Sequence, residues 1–426
     1  MIEKLYQHFL KSTGVSTDTR TVQKGQVFFA LNGPNFNANK FAEKALDEGA
    51  VIAVVDDASY VKNDNYFLVN DGLEALQQLA NFHRKHLNIP FIGITGSNGK
   101  TTTKELMRDV LAQKYEVVAT VGNLNNHIGV PLTLLSIKEN TEIAIIEMGA
   151  NHIGEIETLC KIAEPTHGLI TNIGEAHLEG FGGIEGVIRG KSELYNFLIQ
   201  SGGVVFVNSQ NEILANMAKR RVKAPIFYGT DGDFFAATLL TSTPLIEYKT
   251  DRNLKASTQL SGGYNFENIS AALCVGRFFE VEENSANEAV ADYISENNRS
   301  QLIEQGGIKI ILDAYNANPS SMQVALESLG KLDGSKAVIL GDMFELGASS
   351  KGAHVNLGKL TAALQIDKVI FCGELSRSGK QGNPNALYFM TKTELATFLV
   401  LNPIMEDYLL IKGSRGMGLE SLLKCL

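Results

Sequence analysis

The feature that most constrains this chain is a glycine-rich turn set between an apolar strand pattern and a helix pattern. The stretch that starts at Phe91 reads FIGITGSNGKTTTKELM: the apolar FIGIT feeds the turn GSNG, and Lys100-Thr101 open the helix. Glycines let backbone N–H groups wrap a phosphate, and the N-terminus of the helix adds a partial positive charge. This unit therefore predicts an α/β fold that carries a nucleotide phosphate site at the start of the helix.

The loop is shorter than the general phosphate-binding motif. That motif has four residues between its glycines, and here Ile94 stands where the first glycine would be, which leaves the form GxxGKT. In this interpretation Lys100 reaches the terminal phosphates and the Thr101 hydroxyl holds Mg²⁺. The alternative is an ordinary turn before a helix N-cap. The strand before the loop, the helix after it and GKT at the junction together favour the nucleotide site.

Apolar strand patterns alternate with helix patterns along the whole chain. At about 150 residues per domain, the 426 residues predict roughly three domains. The chain has to leave helix at Ile89-Pro90, and a further alternating segment begins near Arg299. We therefore expect domains at residues 1–88, 89–298 and 299–426.

The strand patterns after residue 89 are continuously apolar, which is typical of parallel strands covered by helices on both faces. They predict an α/β protein with a central doubly wound, mostly parallel sheet, a second doubly wound sheet at the C-terminus and a smaller N-terminal α/β domain. Residues 234–249 differ, because their pattern indicates an antiparallel hairpin.

Charge and composition exclude several classes of protein. The net charge is −9 and the pI is near 5.5, so we expect no nucleic-acid partner, since that affinity depends on neutralising phosphates. No apolar run of about 18 residues occurs, so we expect no membrane span. The first residues lack the pattern of a secretion signal, so we expect none, and the four cysteines are too scattered for a zinc site. We expect a cytoplasmic protein with reduced thiols.

A phosphate-loop enzyme needs an acidic residue at the end of a neighbouring strand to hold its metal. The apolar strand IAIIE ends in Glu147, where ligands collect in open α/β sheets. The next strand is followed by His177, and Lys191 lies in a helix pattern further on. From the residues alone, His177 is more often a satisfied polar residue than a ligand, and Lys191 is a solvated helix lysine.

Several motifs together resemble the Mur ligases, ATP-dependent amide-forming enzymes of peptidoglycan synthesis. TGSNGKTT resembles the ATP loop of that family, and TNIGEAHLEGFG followed by GKSELY resembles its segment with a histidine and a carbamylated lysine. GGYNFENISAA resembles the segment beside the adenine, and an arginine near Arg299 precedes the third domain. The resemblance covers the whole chain, and its motifs occur in the expected order.

The resemblance implies a UDP-sugar-binding domain, an ATP-binding domain and a C-terminal Rossmann-like domain that closes over the nucleotide. It implies ATP, two Mg²⁺ ions and a carbamate on Lys191. The nucleotide-binding residues would be Gly96, Ser97, Asn98, Gly99, Lys100, Thr101, Thr102, Asn268, Arg299 and Asp313. The metal ligands would be Thr101, Glu147, His177 and carbamylated Lys191, and the catalytic residues Lys100, His177 and Lys191.

Three further motifs narrow the resemblance within the family. DAYNANPSSM, LGDMFELG and KGSRGMGLE resemble the last cytoplasmic member, which joins D-alanyl-D-alanine to UDP-N-acetylmuramoyl-tripeptide. These two molecules are the expected partners of a chain that we expect to be monomeric. The stretch TDTRTVQKGQVFFALNG resembles the N-terminal domain of that enzyme, but Asn37-Ala38-Asn39 stands where many members have Asp-Gly-His.

Other functions share parts of this pattern. Folylpolyglutamate synthase has the short loop and the carbamylated lysine, and the other Mur ligases share nearly all the central motifs. A nucleotide-gated switch protein without ligase activity is a rival from another class. A switch needs only one Mg²⁺, so the combination of Glu147, His177 and Lys191 around the loop favours a ligase.

Overall fold

The computed structural model describes residues 1–296 and 298–426, which form an α/β protein with four β-sheets. Three of these sheets follow one another along the chain as parallel or mostly parallel layers covered by helices, and the fourth is a small antiparallel sheet. Within the described ranges, no helix is both long enough and apolar enough to cross a membrane.

The N-terminal segment is built on a parallel sheet of four short strands in the order β1-β2-β3-β4. Helix α3 begins after Asp71, whose carboxylate accepts a hydrogen bond from the Glu74 amide at 2.8 Å and so caps the helix. The strands are β1 (Val15–Ser16), β2 (Val27–Phe29), β3 (Ile52–Val55) and β4 (Tyr66–Leu68), and the helices are α1 (Ile2–Leu10), α2 (Ala42–Asp47) and α3 (Gly72–His86).

The central segment contains a six-stranded parallel sheet in the order β10-β9-β8-β5-β7-β6, covered by helices on both faces. Its strands are β5 (Phe91–Thr95), β6 (Val117–Ala119), β7 (Ile143–Glu147), β8 (His167–Ile170), β9 (Val204–Asn208) and β10 (Ile226–Tyr228). Its helices are α4 (Lys100–Leu111), α5 (Gly129–Leu135), α6 (Glu155–Ala163), α7 (Leu178–Phe181), α8 (Ile184–Ser201), α9 (Glu212–Arg221), α10 (Asn265–Phe278) and α11 (Glu283–Asp292).

The predicted hairpin is part of a larger antiparallel sheet. Strands β11 (Ala237–Thr241) and β12 (Glu247–Thr250) pair as predicted, and β13 (Lys255–Ser257) adds a third strand that the sequence pattern did not indicate. This last strand is short and largely exposed, so it lacks the apolar run by which longer strands are found.

The C-terminal segment is a second doubly wound sheet in the order β14-β15-β19-β16-β17-β18. All pairs are parallel except β14–β15, an edge hairpin that turns at Gly306-Gly307 and was missed in the sequence because its strand is half polar. The strands are β14 (Gln301–Gln305), β15 (Ile308–Asp313), β16 (Lys336–Gly341), β17 (Lys368–Cys372), β18 (Leu387–Phe389) and β19 (Tyr408–Lys412). The helices are α12 (Pro319–Gly330), α13 (Ser350–Ala363), α14 (Gly379–Gly382) and α15 (Lys392–Leu401).

The N-terminal and central segments share one hydrophobic core, whereas the C-terminal segment has cores of its own. Leu5 of α1 and Leu76 of α3 belong to the same buried cluster as Ile146 of β7 and Leu159 of α6. The clusters of the C-terminal sheet contain only C-terminal residues. Because shared apolar surface holds segments together more strongly than polar contacts do, we expect the C-terminal segment to be the one that moves.

Arg84 strengthens the junction between the first two segments. Its guanidinium lies 3.7 Å from the centroid of the Phe91 ring and donates to the carbonyl oxygens of Ala163 and Glu164, both at 2.8 Å. These carbonyls lie at the C-terminal end of α6, where the negative end of the helix dipole favours a cation. The arginine therefore fixes α3 of the N-terminal segment against the central sheet that carries the phosphate loop.

Candidate active site

The phosphate loop joins β5 to α4 and has no room for side chains at its two glycines. A Cβ on Gly96 would lie 2.0 Å from the Thr171 hydroxyl oxygen, and a Cβ on Gly99 would lie 2.4 Å from the Asn268 side-chain oxygen. Both glycines also adopt positive φ, at 146° and 77°, which side-chain-bearing residues rarely do. The tight turn leaves the N-terminus of α4 open to a phosphate.

The segment after β8 supports the loop from one side. The Ser97 hydroxyl donates to the carbonyl of Gly174 at 3.0 Å and accepts from its amide at 2.9 Å. The Asn98 amide donates to the side-chain oxygen of Asn172 at 2.9 Å. The loop is therefore preorganised by residues that the sequence places more than seventy positions away.

Lys100 lies inside the loop with its ammonium folded back on the backbone. Nζ donates to the carbonyl oxygens of Gly96 at 2.7 Å and Ser97 at 3.3 Å. Burial lowers the pKa of Lys100 to about 8, and the carboxylate of Glu147 opposes part of that shift. A bound phosphate would supply the negative charge that this ammonium lacks in the loop.

Glu147 ends β7 beside the phosphate loop. Its Oε1 accepts from the Thr101 hydroxyl at 3.3 Å and from Asn125 Nδ2 at 2.8 Å, and the side chain is almost fully buried. Its Oε2 is buried without a hydrogen-bond partner and lies 3.7 Å from Lys104 Nζ. A buried carboxylate oxygen without a hydrogen-bond partner, next to a threonine hydroxyl, fits a hard cation such as Mg²⁺.

His177 lies at the edge of the site, where the central and C-terminal segments meet. It precedes α7 with a positive φ of 53°, and its Nδ1 contacts the carboxylate of Glu345 from the loop after β16. Burial lowers the pKa of His177, and the Glu345 carboxylate opposes this shift.

Lys191 is buried within α8, so the expectation of a solvated helix lysine is wrong. Only 1% of its surface is exposed, and Nζ donates to the Ala150 carbonyl at 3.1 Å and lies 5.1 Å from the centroid of the Phe181 ring. The carboxylate of nearby Glu193 accepts from the amides of Gly154 and Glu157. Burial, with a smaller contribution from the charge of Lys100, moves the pKa of Lys191 well below its usual value.

Three further residues predicted to bind the nucleotide are Asn268, Arg299 and Asp313. Asn268 accepts from the Thr103 hydroxyl at 3.0 Å, directly behind Gly99. The Arg299 guanidinium stacks 3.6 Å from the centroid of the Tyr315 ring, and its Nε is buried without a hydrogen-bond partner. Asp313, at the end of β15, forms an ion pair with the buried Lys412.

One cavity of about 1030 Å³ between the central and C-terminal segments brings most of these residues together. The predicted residues that line it are Ser97, Asn98, Gly99, Lys100, Thr101, Thr102, Glu147, His177, Asn268, Arg299 and Asp313. Gly96, the first residue of the loop, does not line the cavity, and Lys191 lies behind the cavity wall, where its Nζ contacts the lining residue Ala150. Among the described residues, no three His, Cys, Asp or Glu side chains form a metal site by themselves.

Sequence reasoning missed the residues that connect the parts of this site. Asn125 holds Glu147, Lys412 pairs with Asp313, and Glu345 contacts His177. The Asn318 amide group donates to Asn98 at 2.7 Å and so joins α12 to the phosphate loop. A usable signal for Asn125 was the largely polar stretch GNLNNH, which follows β6 after two intervening residues, at the sheet edge where the phosphate loop lies.

A phosphate loop, a buried strand-end carboxylate and a separate C-terminal segment that covers the loop define an ATP-dependent enzyme of the phosphate-loop class. Three family models match successive parts of the chain. They are described as "Mur ligase family, catalytic domain" at residues 11–84, "Mur ligase middle domain" at residues 94–276 and "Mur ligase, glutamate ligase domain" at residues 298–415.

Full-length relatives agree with these matches. The UDP-N-acetylmuramoyl-tripeptide–D-alanyl-D-alanine ligase of Bacillus subtilis (strain 168) is 36% identical over 97% of this chain and 93% of its own. The Escherichia coli (strain K12) protein of the same name is 32% identical, with the same coverage. The chain belongs to the Mur ligase family.

Solved structures show the same architecture. MurF from Acinetobacter baumannii superimposes with a TM-score of 0.87 at 30% identity, covering 98% of this chain and 97% of that one. A MurF ligase from Thermotoga maritima, crystallised in complex with ADP, has a TM-score of 0.86 at 28% identity with the same coverage.

Proposed function

We propose that this chain joins D-alanyl-D-alanine to the C-terminal carboxylate of UDP-N-acetylmuramoyl-tripeptide, with ATP converted to ADP and phosphate. The observation that carries the proposal is the single cavity in which the loop, Glu147, Arg299 and Asp313 converge from two segments. The names of the full-length relatives supply the two substrates.

An amine cannot displace oxide from the tripeptide carboxylate, so the carboxylate first has to be given a better leaving group. An oxygen of the tripeptide carboxylate attacks the γ-phosphorus of ATP, the bond between that phosphorus and the β,γ-bridging oxygen breaks, and ADP leaves. The product is an acyl phosphate. The amine of D-alanyl-D-alanine then attacks its carbonyl carbon, the tetrahedral intermediate expels phosphate, and the nitrogen loses a proton.

The loop residues bring the two anionic reactants together. Gly96, Ser97, Asn98 and Gly99 form the loop that surrounds the phosphates, and the amides of Ser97 and Asn98 hold its shape by donating to Asn172. Thr102 lies in the first turn of α4, whose free N-terminal amides bind the phosphates. Lys100 exchanges its two carbonyl acceptors for the γ-phosphate and so stabilises charge that develops in transfer. Arg299 supplies a second cation near the phosphates. Asn268 lies near the adenine, and Asp313 binds the ribose hydroxyls.

Two Mg²⁺ ions belong to this proposal. Thr101 and Glu147 would hold the first, which is supported by Oε2 of Glu147, a buried oxygen without a hydrogen-bond partner. His177 and a carbamate on Lys191 would hold the second, and these ions would offset the repulsion between ATP and the peptide carboxylate. Neutral lysine reacts with CO₂ to form a carbamate and release a proton, and burial favours the neutral form that this reaction requires because it lowers the pKa of Lys191.

The proposed division into domains at 1–88, 89–298 and 299–426 assigns the UDP-sugar to the first, ATP to the second and closure to the third. We infer that the enzyme works as a monomer in the cytoplasm, because all residues assigned to the site come from one chain and two of its substrates, ATP and UDP-N-acetylmuramoyl-tripeptide, are cytoplasmic nucleotides. The free thiols of all four cysteines are compatible with that reducing compartment.

Phosphate release tests this function directly. We expect release when ATP, Mg²⁺, UDP-N-acetylmuramoyl-tripeptide and D-alanyl-D-alanine are all present, with stoichiometric formation of the ligated product by mass spectrometry. Omission of either acceptor or amine should reduce steady release to background. Sustained ATP hydrolysis without both substrates, or no product with both, would contradict the proposal.

The variant Asp313→Ala should weaken ATP binding more than it slows the chemical step. The ribose hydroxyls that Asp313 is proposed to bind do not change charge in the transition state, so their contribution is uniform binding. We expect the Michaelis constant for ATP to rise about tenfold to a hundredfold, the range of a hydrogen bond to a charged group, with the turnover number changed far less.

Lys412 requires a control in that experiment. Its ammonium is buried and would lose its carboxylate partner in Asp313→Ala, which by itself destabilises a protein. The double variant Asp313→Ala/Lys412→Met removes both charges. If the folded double variant binds ATP as the wild type does, or if turnover at saturating ATP collapses in the single variant without a change in the Michaelis constant, the ribose assignment is wrong.

A further inference from the structure

The contact between His177 and Glu345 joins two segments of the chain at the edge of the cavity. His177 precedes α7 in the central segment, and Glu345 lies in the loop after β16 in the C-terminal segment, 168 residues away. The two backbones also meet, because the amide of Glu179 in the first turn of α7 donates to the Glu345 carbonyl at 3.4 Å. The approach of the two side chains is therefore set by the docking of two backbones.

The loop that carries Glu345 is anchored on both sides. Met343 and Leu346 are buried in the C-terminal core, with 1% and 3% of their surfaces exposed. The amide of Phe344 donates to the Ser414 hydroxyl at 3.0 Å. Glu345 itself adopts a positive φ of 61°, which its anchored neighbours hold. Its carboxylate therefore moves with the C-terminal segment as a rigid part of it.

A carboxylate at Nδ1 decides which nitrogen of a neutral histidine ring carries the proton. A carboxylate can only accept a hydrogen bond, so the neutral ring has to carry its proton on Nδ1. Nε2 then keeps its lone pair, and His177 lines the cavity. Outer carboxylates that hold metal-binding histidines in this way orient the ring and raise its basicity.

We propose that Glu345 is a positioning residue that the C-terminal segment brings to the site as it closes, and that it holds His177 in the tautomer with Nε2 free. This inference rests on the proposed function, in which His177 is a metal ligand. It gives the motif LGDMFELG a role in coupling closure to the assembly of the site. A site completed only in the closed form keeps the acyl phosphate from water, since closure also excludes solvent.

The variants Glu345→Ala and Glu345→Gln test the inference, with Glu374→Ala as the matched control. Glu374 is an exposed carboxylate in the loop after β17 of the same segment. Glutamine keeps an oxygen that can accept the Nδ1 proton, whereas alanine does not. The first measurement is the pair of ring ¹⁵N shifts of His177 in histidine-labelled protein with a non-hydrolysable ATP analogue, assigned by their loss in His177→Gln.

We expect the Nδ1-protonated tautomer in the wild type, in Glu374→Ala and largely in Glu345→Gln, and its loss in Glu345→Ala. The turnover number of Glu345→Ala should fall about tenfold to a hundredfold, as for other outer partners of metal-binding histidines, with the Michaelis constant for ATP little changed. Glu345→Gln should retain part of the turnover that Glu345→Ala loses.

Two results would overturn the positioning role. Identical ring ¹⁵N shifts in the wild type and Glu345→Ala would show that Glu345 does not set the tautomer, and wild-type turnover in Glu345→Ala would show that the reaction does not use it. The proposed function fails separately, when the wild type itself forms no ligated product. The ring shifts do not depend on that activity.

Discussion

Lys100→Ala should abolish turnover while the protein stays folded. The ammonium of Lys100 is the cation inside the phosphate loop, and its loss removes charge stabilisation of about 3 kcal/mol or more in the transition state, a factor of about 10²–10³. The fold loses only the two hydrogen bonds from Nζ to loop carbonyls. The measurement is phosphate release at saturating substrates together with the melting temperature.

Lys138→Ala is the control for this variant, because Lys138 is an exposed lysine of the same segment. It should match the wild type in both turnover and melting temperature. Lys100→Ala with turnover within about threefold of the wild type would remove Lys100 from the mechanism, since one lost donor to a developing charge costs far more than that.

Lys191→Ala should be nearly inactive, and small carboxylates should restore part of its activity. Loss of a residue that hydrogen-bonds a metal ligand lowers activity about 10- to 100-fold. A direct metal ligand should contribute more, so we expect the turnover number of Lys191→Ala to fall at least about a hundredfold. Formate or acetate can enter the space that the buried side chain vacates and supply the anionic oxygen of the missing carbamate.

Lys191→Met provides the matched control for rescue. Methionine fills the space beside Phe181 that alanine leaves open, so carboxylates should not restore its activity. Chloride at the same ionic strength should restore neither variant. In the wild type, ¹³C-labelled bicarbonate should give a carbamate carbon signal that Lys191→Ala lacks. A fully active alanine variant, or a wild type without that signal when Mg²⁺ and an ATP analogue are bound, would refute the carbamate.

Local sequence patterns were enough to predict most of the architecture. The central and C-terminal parallel sheets follow from runs of apolar residues, because a strand buried on both faces has to be apolar throughout. The phosphate loop was equally visible, since strand, glycines and helix start lie within a single stretch of chain. The edge strand β14 and the third strand β13 escaped prediction because partly exposed strands carry no such run.

The environment of Lys191 shows what a pattern cannot supply. The sequence places it on an amphipathic helix, where its charge indicates solvent. Lys191 is covered by Phe181 of α7 and by the backbone at Ala150 in the loop after β7, because both of these elements pack against α8. Only that packing buries the amine of Lys191 and lowers its pKa.

By itself, the sequence determined the α/β class, the phosphate loop and the strand-end position of Glu147, because each depends on residues that are neighbours along the chain. The tertiary structure alone decided the pairs Asp313–Lys412, Asn98–Asn318 and His177–Glu345, which are separated by 99, 220 and 168 residues. The last two pairs arise where separate sheets meet at one cavity, whereas Asp313 and Lys412 end neighbouring strands of the C-terminal sheet. No local periodicity specifies how two independently packed cores dock, so their polar contacts become known only once both folds are in place.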